Sequence, residues 1–236
     1  MPDSSDWNQR ARAWAEHWPR LSLPARTAVL DELHLRPGTR LLDAGCGTGE
    51  LLAQAASRGA EVSGLDASPA MLLLAQEQLP DADLRVGDIA RLPWADNAFD
   101  VATAFNVVQF TDDIPITIAE LARVARQVAI CNWGTPSELP PLFMALREDA
   151  TISPADPDVR RRGVLERLMS DAGMMVKAAA DVSAPYETPD LDTLVAALRD
   201  GSGLTGDVEG LAAANRRPDG SYRFENTFRY VVATRS

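Results

Sequence analysis

Short apolar runs alternate with amphipathic stretches along most of the chain. Leu41-Leu42, Glu61 to Leu65, Leu84 to Val86, Phe99 to Phe105 and Gln127 to Cys131 have the length of buried strands. Between them, Leu51 to Arg58, a segment opening at Ser68-Pro69 and Pro115 to Arg126 carry apolar residues at helical spacing. Alternation of this kind predicts a mostly parallel sheet covered by helices on both faces. Ahead of it, Trp7, Ala11, Trp14, Ala15 and Trp18 share one face of a helix that Pro19 ends. A second helix is expected from Pro24 to His34, and Arg36-Pro37-Gly38 turns into the first strand.

The later chain is less regular. Helices are expected at about Leu139 to Asp149, Val164 to Ala172, Asp190 to Arg199 and Asp207 to Asn215, with a Pro/Asp/Arg-rich loop up to Arg162. Met174 to Ala184 reads as a sixth strand. Tyr222 to Thr234, with Phe224, Phe228, Tyr230 and Val232, reads as one final strand.

The chemistry concentrates in Asp43-Ala44-Gly45-Cys46-Gly47-Thr48-Gly49-Glu50. Here a buried strand runs into a glycine turn and then a helix, whose first N–H groups face whatever occupies the turn. The glycines let backbone approach a ligand closely. A dinucleotide site wants Gly-x-Gly-x-x-Gly with the pyrophosphate on the helix N-terminus. Here Glu50 stands where the third glycine would be, and Asp43 adds a second negative charge. That charge suits a cationic ligand better than a diphosphate. Asp66 ends the second strand about twenty residues past the turn, where an acid can accept from two ribose hydroxyls. Asn106 to Phe110 follows the fourth strand, at the carboxyl edge where open parallel sheets bind ligands. This places Asn106, Val107, Gln109 and Phe110 beside the ligand of the turn and whatever binds next to it.

Composition narrows the partners. The chain has 236 residues, enough for one domain with a large core, and a net charge of −11 that repels nucleic acid. The one basic run is Arg160-Arg161-Arg162. Cys46 and Cys131 have neither metal nor disulfide spacing and read as buried thiols in a reducing compartment. The N-terminus is acidic and polar, unlike a signal peptide, and no apolar run approaches membrane-spanning length. A cytoplasmic protein without membrane, metal or nucleic-acid partner is therefore expected. His17 and His34 are the only histidines; neither lies at a strand end, so no catalytic residue is assigned.

Asp43-x-Gly45-x-Gly47-x-Gly49 resembles motif I of the class I S-adenosylmethionine-dependent methyltransferases. Gly64-Leu65-Asp66-Ala67-Ser68-Pro69-Ala70-Met71 resembles the segment that follows it, and Leu92-Pro93, an acid, then Phe99-Asp100 resembles small-molecule methyltransferases of quinone biosynthesis. The resemblance is specific from Arg40 to Ile130. It implies a Rossmann-like sheet of seven strands with the last antiparallel, and S-adenosylmethionine as cofactor. It also implies methyl transfer to an O, N or C nucleophile of a small molecule. By resemblance, cofactor contacts fall on Trp14, Asp43, Gly45, Cys46, Gly47, Asp66, Ala67, Met71, Asp88, Ile89, Asn106 and Val107, with Asp88 accepting from the adenine amino group. Trp7, His17, Trp18, Gln109, Phe110 and Trp133 are candidates for the acceptor pocket. Residues 1–36 would be a helical lid, 40–133 the cofactor core, and 134–162 with 185–220 the acceptor cap, all in one domain. A cofactor-binding cyclase or sensor, and a nicotinamide-dependent oxidoreductase, are the competing readings.

Overall fold

In the computed structural model, residues 4–146 and 158–235 are described. The elements in order are α1 (Ser4–His17), α2 (Leu23–Glu32), β1 (Arg40–Ala44), α3 (Glu50–Ser57), β2 (Glu61–Asp66), α4 (Pro69–Gln78), β3 (Asp83–Val86) and β4 (Phe99–Phe105). There follow α5 (Ile114–Val124), β5 (Ala125–Trp133), α6 (Leu139–Ala145), α7 (Val164–Asp171), β6 (Met174–Ser183), β7 (Tyr186–Thr188), α8 (Leu191–Arg199), α9 (Val208–Ala212), β8 (Tyr222–Phe224) and β9 (Thr227–Arg235). The seven-stranded sheet has the order β3-β2-β1-β4-β5-β9-β6, with β9 antiparallel to both of its neighbours.

Side-chain alternation along the strands separates two cores. Leu41, Val101, Ala129 and Val232 pack with α2 and α3 on one face. Leu42, Ala102, Ile130 and Val231 pack with α5 and α7 on the other. This is the two-faced burial that the apolar runs predict. The chain order reverses between β1 and β4, which opens a crevice at the carboxyl ends of these strands. Local signals set the helix starts. Ser68 Oγ accepts from the Met71 N–H at 3.2 Å, Asp113 Oδ1 from the Ile116 N–H at 2.9 Å and Asp190 Oδ1 from the Thr193 N–H at 2.8 Å. Helix α5 passes straight into β5 at Ala125, as the short connection in the sequence implies.

The final segment departs from expectation. The run Tyr222 to Thr234 is two strands, and β8 pairs with β7 in a separate two-stranded sheet. The break falls at Glu225-Asn226. Asn226 is buried; its Oδ1 accepts from the Leu139 N–H at 3.0 Å and its Nδ2 donates to the Phe224 carbonyl at 3.1 Å. The Asn226 side chain thus satisfies the N-terminus of α6 at the break between the two strands. Helix α6 ends at Ala145, and the rest of the helix and loop expected up to residue 157 lies outside the described residues. In the basic run, Arg160 pairs with Asp158 at 2.8 Å and Arg162 pairs with Asp181.

Candidate active site

The glycine turn is tied to the neighbouring strand before any ligand is considered. The Gly45 and Cys46 N–H groups both donate to the Leu65 carbonyl, at 2.7 and 3.0 Å. Gly45 has φ 82°, and a Cβ there would come within 2.5 Å of Val107 Cγ2, so only glycine fits. Gly47 has φ 53° and open space where a Cβ would stand, which leaves its backbone bare toward the crevice. Asp66 clasps the turn: Oδ2 accepts from the Gly47 N–H at 2.8 Å and Oδ1 from the Ser68 N–H at 2.9 Å. Each oxygen keeps a lone pair for a further donor.

A cavity of about 700 Å³ opens over this turn. Trp14, Asp43, Gly45, Cys46, Gly47, Asp66, Ala67, Met71, Asp88, Ile89, Asn106 and Val107 all line it. So do Trp7, Trp18, Phe110 and Trp133 among the acceptor candidates. Asp88 is exposed and its Oδ1 also accepts from the Ala90 N–H at 2.9 Å. Two candidates are not brought to the wall. His17 is displaced because one residue of helix turns it about 100° from Trp18, and it does not line the cavity. Gln109 also lies off the lining; it reaches back, and its Nε2 donates to the Asn106 carbonyl at 2.9 Å and to Asn106 Oδ1 at 3.0 Å.

Some lining residues escape the sequence reading. Arg26 is buried, donating to Gln54 Oε1 at 3.1 Å and to the Pro19 carbonyl at 2.8 Å. Its one signal is a charge on the apolar stripe of α2. Phe105, Phe143 and Phe228 come from distant elements, and Arg10 bridges α1 to the Ser202 carbonyl at 3.0 Å. Nothing local announces these.

The electrostatics favour a cation. Asp43, Glu50, Asp66, Asp88, Asp112 and Asp113 line the cavity against two arginines, Arg10 and Arg26. Asp43 is fully enclosed under the turn and accepts from Thr103 Oγ1 at 2.6 Å. Burial pushes its carboxyl up to about 7; the Thr103 hydrogen bond opposes this, and the charges of Asp66 and Glu50 add to it. Burial also raises Asp66, against its backbone hydrogen bonds, and lifts the Cys46 thiol well above its ordinary value. A thiol so held is inert as a nucleophile. Burial lowers Arg26, with Glu50 and Asp43 opposing.

The methyltransferase-domain family model matches residues 42–131, the stretch that carries the turn, Asp66 and Asp88. Residues 42–131 thus match a methyltransferase domain, in keeping with the resemblance to the class I S-adenosylmethionine-dependent enzymes. The chain is 39% identical to malonyl-[acyl-carrier protein] O-methyltransferase of Serratia marcescens over 99 residues, which are 42% of this chain and 39% of that protein. It is 34% identical to demethylmenaquinone methyltransferase of Beutenbergia cavernae over 118 residues, 49% of each chain. The chain thus spans half or less of the length of these curated relatives. A solved SAM-dependent methyltransferase from Aquifex aeolicus shares the fold, with TM-score 0.60 and 18% identity over 99% of this chain and 100% of that one. The shared fold therefore continues beyond the matched segment. No helix among the described residues is long and apolar enough to cross a membrane.

Proposed function

We propose that this protein transfers a methyl group from S-adenosylmethionine to a small-molecule acceptor. The reading is carried by the acid-lined glycine turn at the strand-order reversal, with Asp66 clasped between the Gly47 and Ser68 N–H groups. The residues fit that cofactor: Gly47 offers bare backbone, the surrounding carboxylates suit a cation, and Glu50 opens α3 where a diphosphate would want an uncharged residue. Asp66 would hold the ribose hydroxyls, Asp88 and the Ile89 N–H the adenine, and Gly45 to Gly47 the amino-acid part. Ala67, Met71 and Val107 supply apolar wall. Bound there, the cofactor supplies an activated methyl: the acceptor lone pair bonds the methyl carbon while the C–S pair leaves on sulfur. The chain's own contribution is alignment and exclusion of water, for which Trp7 and Trp14 close the wall. The acceptor is a small molecule, and the reaction is placed in the cytoplasm.

S-adenosylhomocysteine should raise the melting temperature, because a ligand that binds only the native state stabilises it. NAD should not. A shift with NAD alone would overturn this function in favour of a nicotinamide enzyme. Label recovered in a small-molecule extract after incubation with methyl-labelled cofactor separates transfer from mere binding by a cyclase or sensor.

Asp43 makes binding sensitive to pH. Its carboxyl is raised from 3.8 to about 7, so the native state holds this proton more tightly than the unfolded one. The ligand-free protein should lose stability as pH rises between those values. A cation in the cavity favours the charged carboxylate. S-adenosylmethionine should therefore bind with proton release near pH 7 and tighten from about pH 6 to 8. S-adenosylhomocysteine, without the sulfonium charge, should do so less. Calorimetry in buffers of different ionisation enthalpy measures the released proton, and Asp43→Asn should abolish it. Undiminished release in that variant would assign the proton to another group.

A further inference from the structure

The acceptor half of the cavity carries more information than its apolar character alone. Trp18 meets Phe143 edge-on at 5.5 Å, Phe143 meets Trp133 at 6.2 Å, Trp133 stacks on Phe228 at 4.7 Å, and Phe228 meets Phe105 at 5.7 Å. These rings come from five separate segments and form one connected wall of the cavity. None of the five rings carries a charge, and the carboxylates of the lining lie at the turn, past β2 and β3 and at Asp112-Asp113, so the wall itself offers apolar π-faces. Rings in such a wall prefer a flat π-system to a saturated one of equal size.

The five rings of the wall carry no basic group. Among the described residues no histidine, lysine or tyrosine lines the cavity, and the Cys46 thiol is buried. The titratable groups that do line it are carboxylates and two arginines, so the nucleophile best suited to this wall is one acidic enough to arrive ionised.

One donor stands beside the wall. Asn106 directly follows Phe105, has φ 55°, and its N–H donates to the Cys131 carbonyl at 2.6 Å. Gln109 fixes which way its amide faces. The Gln109 atom 2.9 Å from the Asn106 carbonyl has to be the Nε2 donor, since an oxygen there would face an oxygen. The same Nε2 lies 3.0 Å from the Asn106 amide, so it meets Oδ1. No acceptor among the described residues pairs with Asn106 Nδ2, which is left as the donor for a ligand on this lining.

We propose that the acceptor is a planar aromatic hydroxyl compound, held by the ring wall and methylated on its ionised oxygen, which accepts from Asn106 Nδ2. This rests on the methyltransferase reading. The hydroxyl proton has already gone to bulk water, so the step needs nothing beyond the methyl donor. Gln109 is a positioning residue that acts through Asn106.

Three probes of one shape test this on the full chain: 2-naphthol, 2-naphthylamine and decahydro-2-naphthol, with 6-cyano-2-naphthol as a more acidic fourth. The S-adenosylhomocysteine melting shift is measured first, and its absence would sink the functional reading rather than the acceptor class. With that ligand bound, calorimetry should show the naphthols binding roughly tenfold or more tightly than the saturated alcohol. With the methyl donor, the naphthols should give the methyl ether, with kcat/KM at pH 7 following the ionised fraction. Equal binding of the saturated alcohol, failure of the naphthols to bind the loaded protein, or methylation of the amine alone would each overturn the proposal. Gln109→Met should lower kcat by roughly tenfold with little change in KM, and more for 2-naphthol than for its cyano derivative. Asn106→Gly, which suits the positive φ, should reproduce that pattern. A loss independent of acceptor acidity in both variants would leave Gln109 merely structural and overturn the assigned donor.

Discussion

Replacing Asp66 by alanine is expected to weaken S-adenosylhomocysteine binding by about 30- to 700-fold. Two charge-assisted hydrogen bonds to ribose hydroxyls would be lost, worth roughly 2–4 kcal/mol together. The structure adds a second reason. The same carboxylate accepts from the Gly47 and Ser68 N–H groups, so its removal also frees the turn and the first residues of α4. The fold should survive, because burial already makes this charge unfavourable in the ligand-free protein. Circular dichroism checks the fold and titration calorimetry the affinity. Unchanged affinity would remove Asp66 from the site.

Deleting residues 1–16 is expected to leave a folded protein that binds cofactor weakly and transfers no methyl. The tryptophan stripe divides in the structure. Trp18 is core, stacked on Tyr186 at 5.0 Å and 3% exposed, so a cut that includes it would open the core. Trp7 and Trp14 are only half-buried, pack edge-on at 5.3 Å and line the cavity. Polar bonds that hold α1 down include Ser68 Oγ and the Ala70 N–H donating to Asn8 Oδ1, at 2.8 and 3.1 Å, and Arg10 reaching Ser202. Bonds of about 1 kcal/mol each suit a segment that opens locally. Amide hydrogen exchange across α1 should slow on adding S-adenosylhomocysteine. Equal protection with and without ligand would make α1 fixed core and end its role as a lid.

These elements show what the sequence discloses and where it stops. The glycine turn, the Asp66 strand end and the Ser68 cap are local devices whose chemistry is written within ten residues of chain, and the structure has all three in the expected places. The strand runs from Arg40 to Ile130 were legible because most apolar positions fall on one of two buried faces; the edge strand β3, whose Val86 is exposed, is the exception. The insertion of β9 between β5 and β6 and the β7–β8 pair were not, since pairing partners far apart leave no local mark. Phe143 and Phe228 reach the cavity for the same non-local reason. Gln109 was legible as polar in an apolar stretch, but its partner is Asn106 rather than the cavity.

The central claim concerns what the acid-lined turn holds, and a crystal structure of the complex with S-adenosylhomocysteine tests it most directly. The ligand should lie over Gly45 to Gly47, with its ribose hydroxyls on the Asp66 carboxylate and its adenine between Asp88 and Ile89. Ligand density away from the turn, or a cavity that stays empty at saturating ligand, would contradict the account.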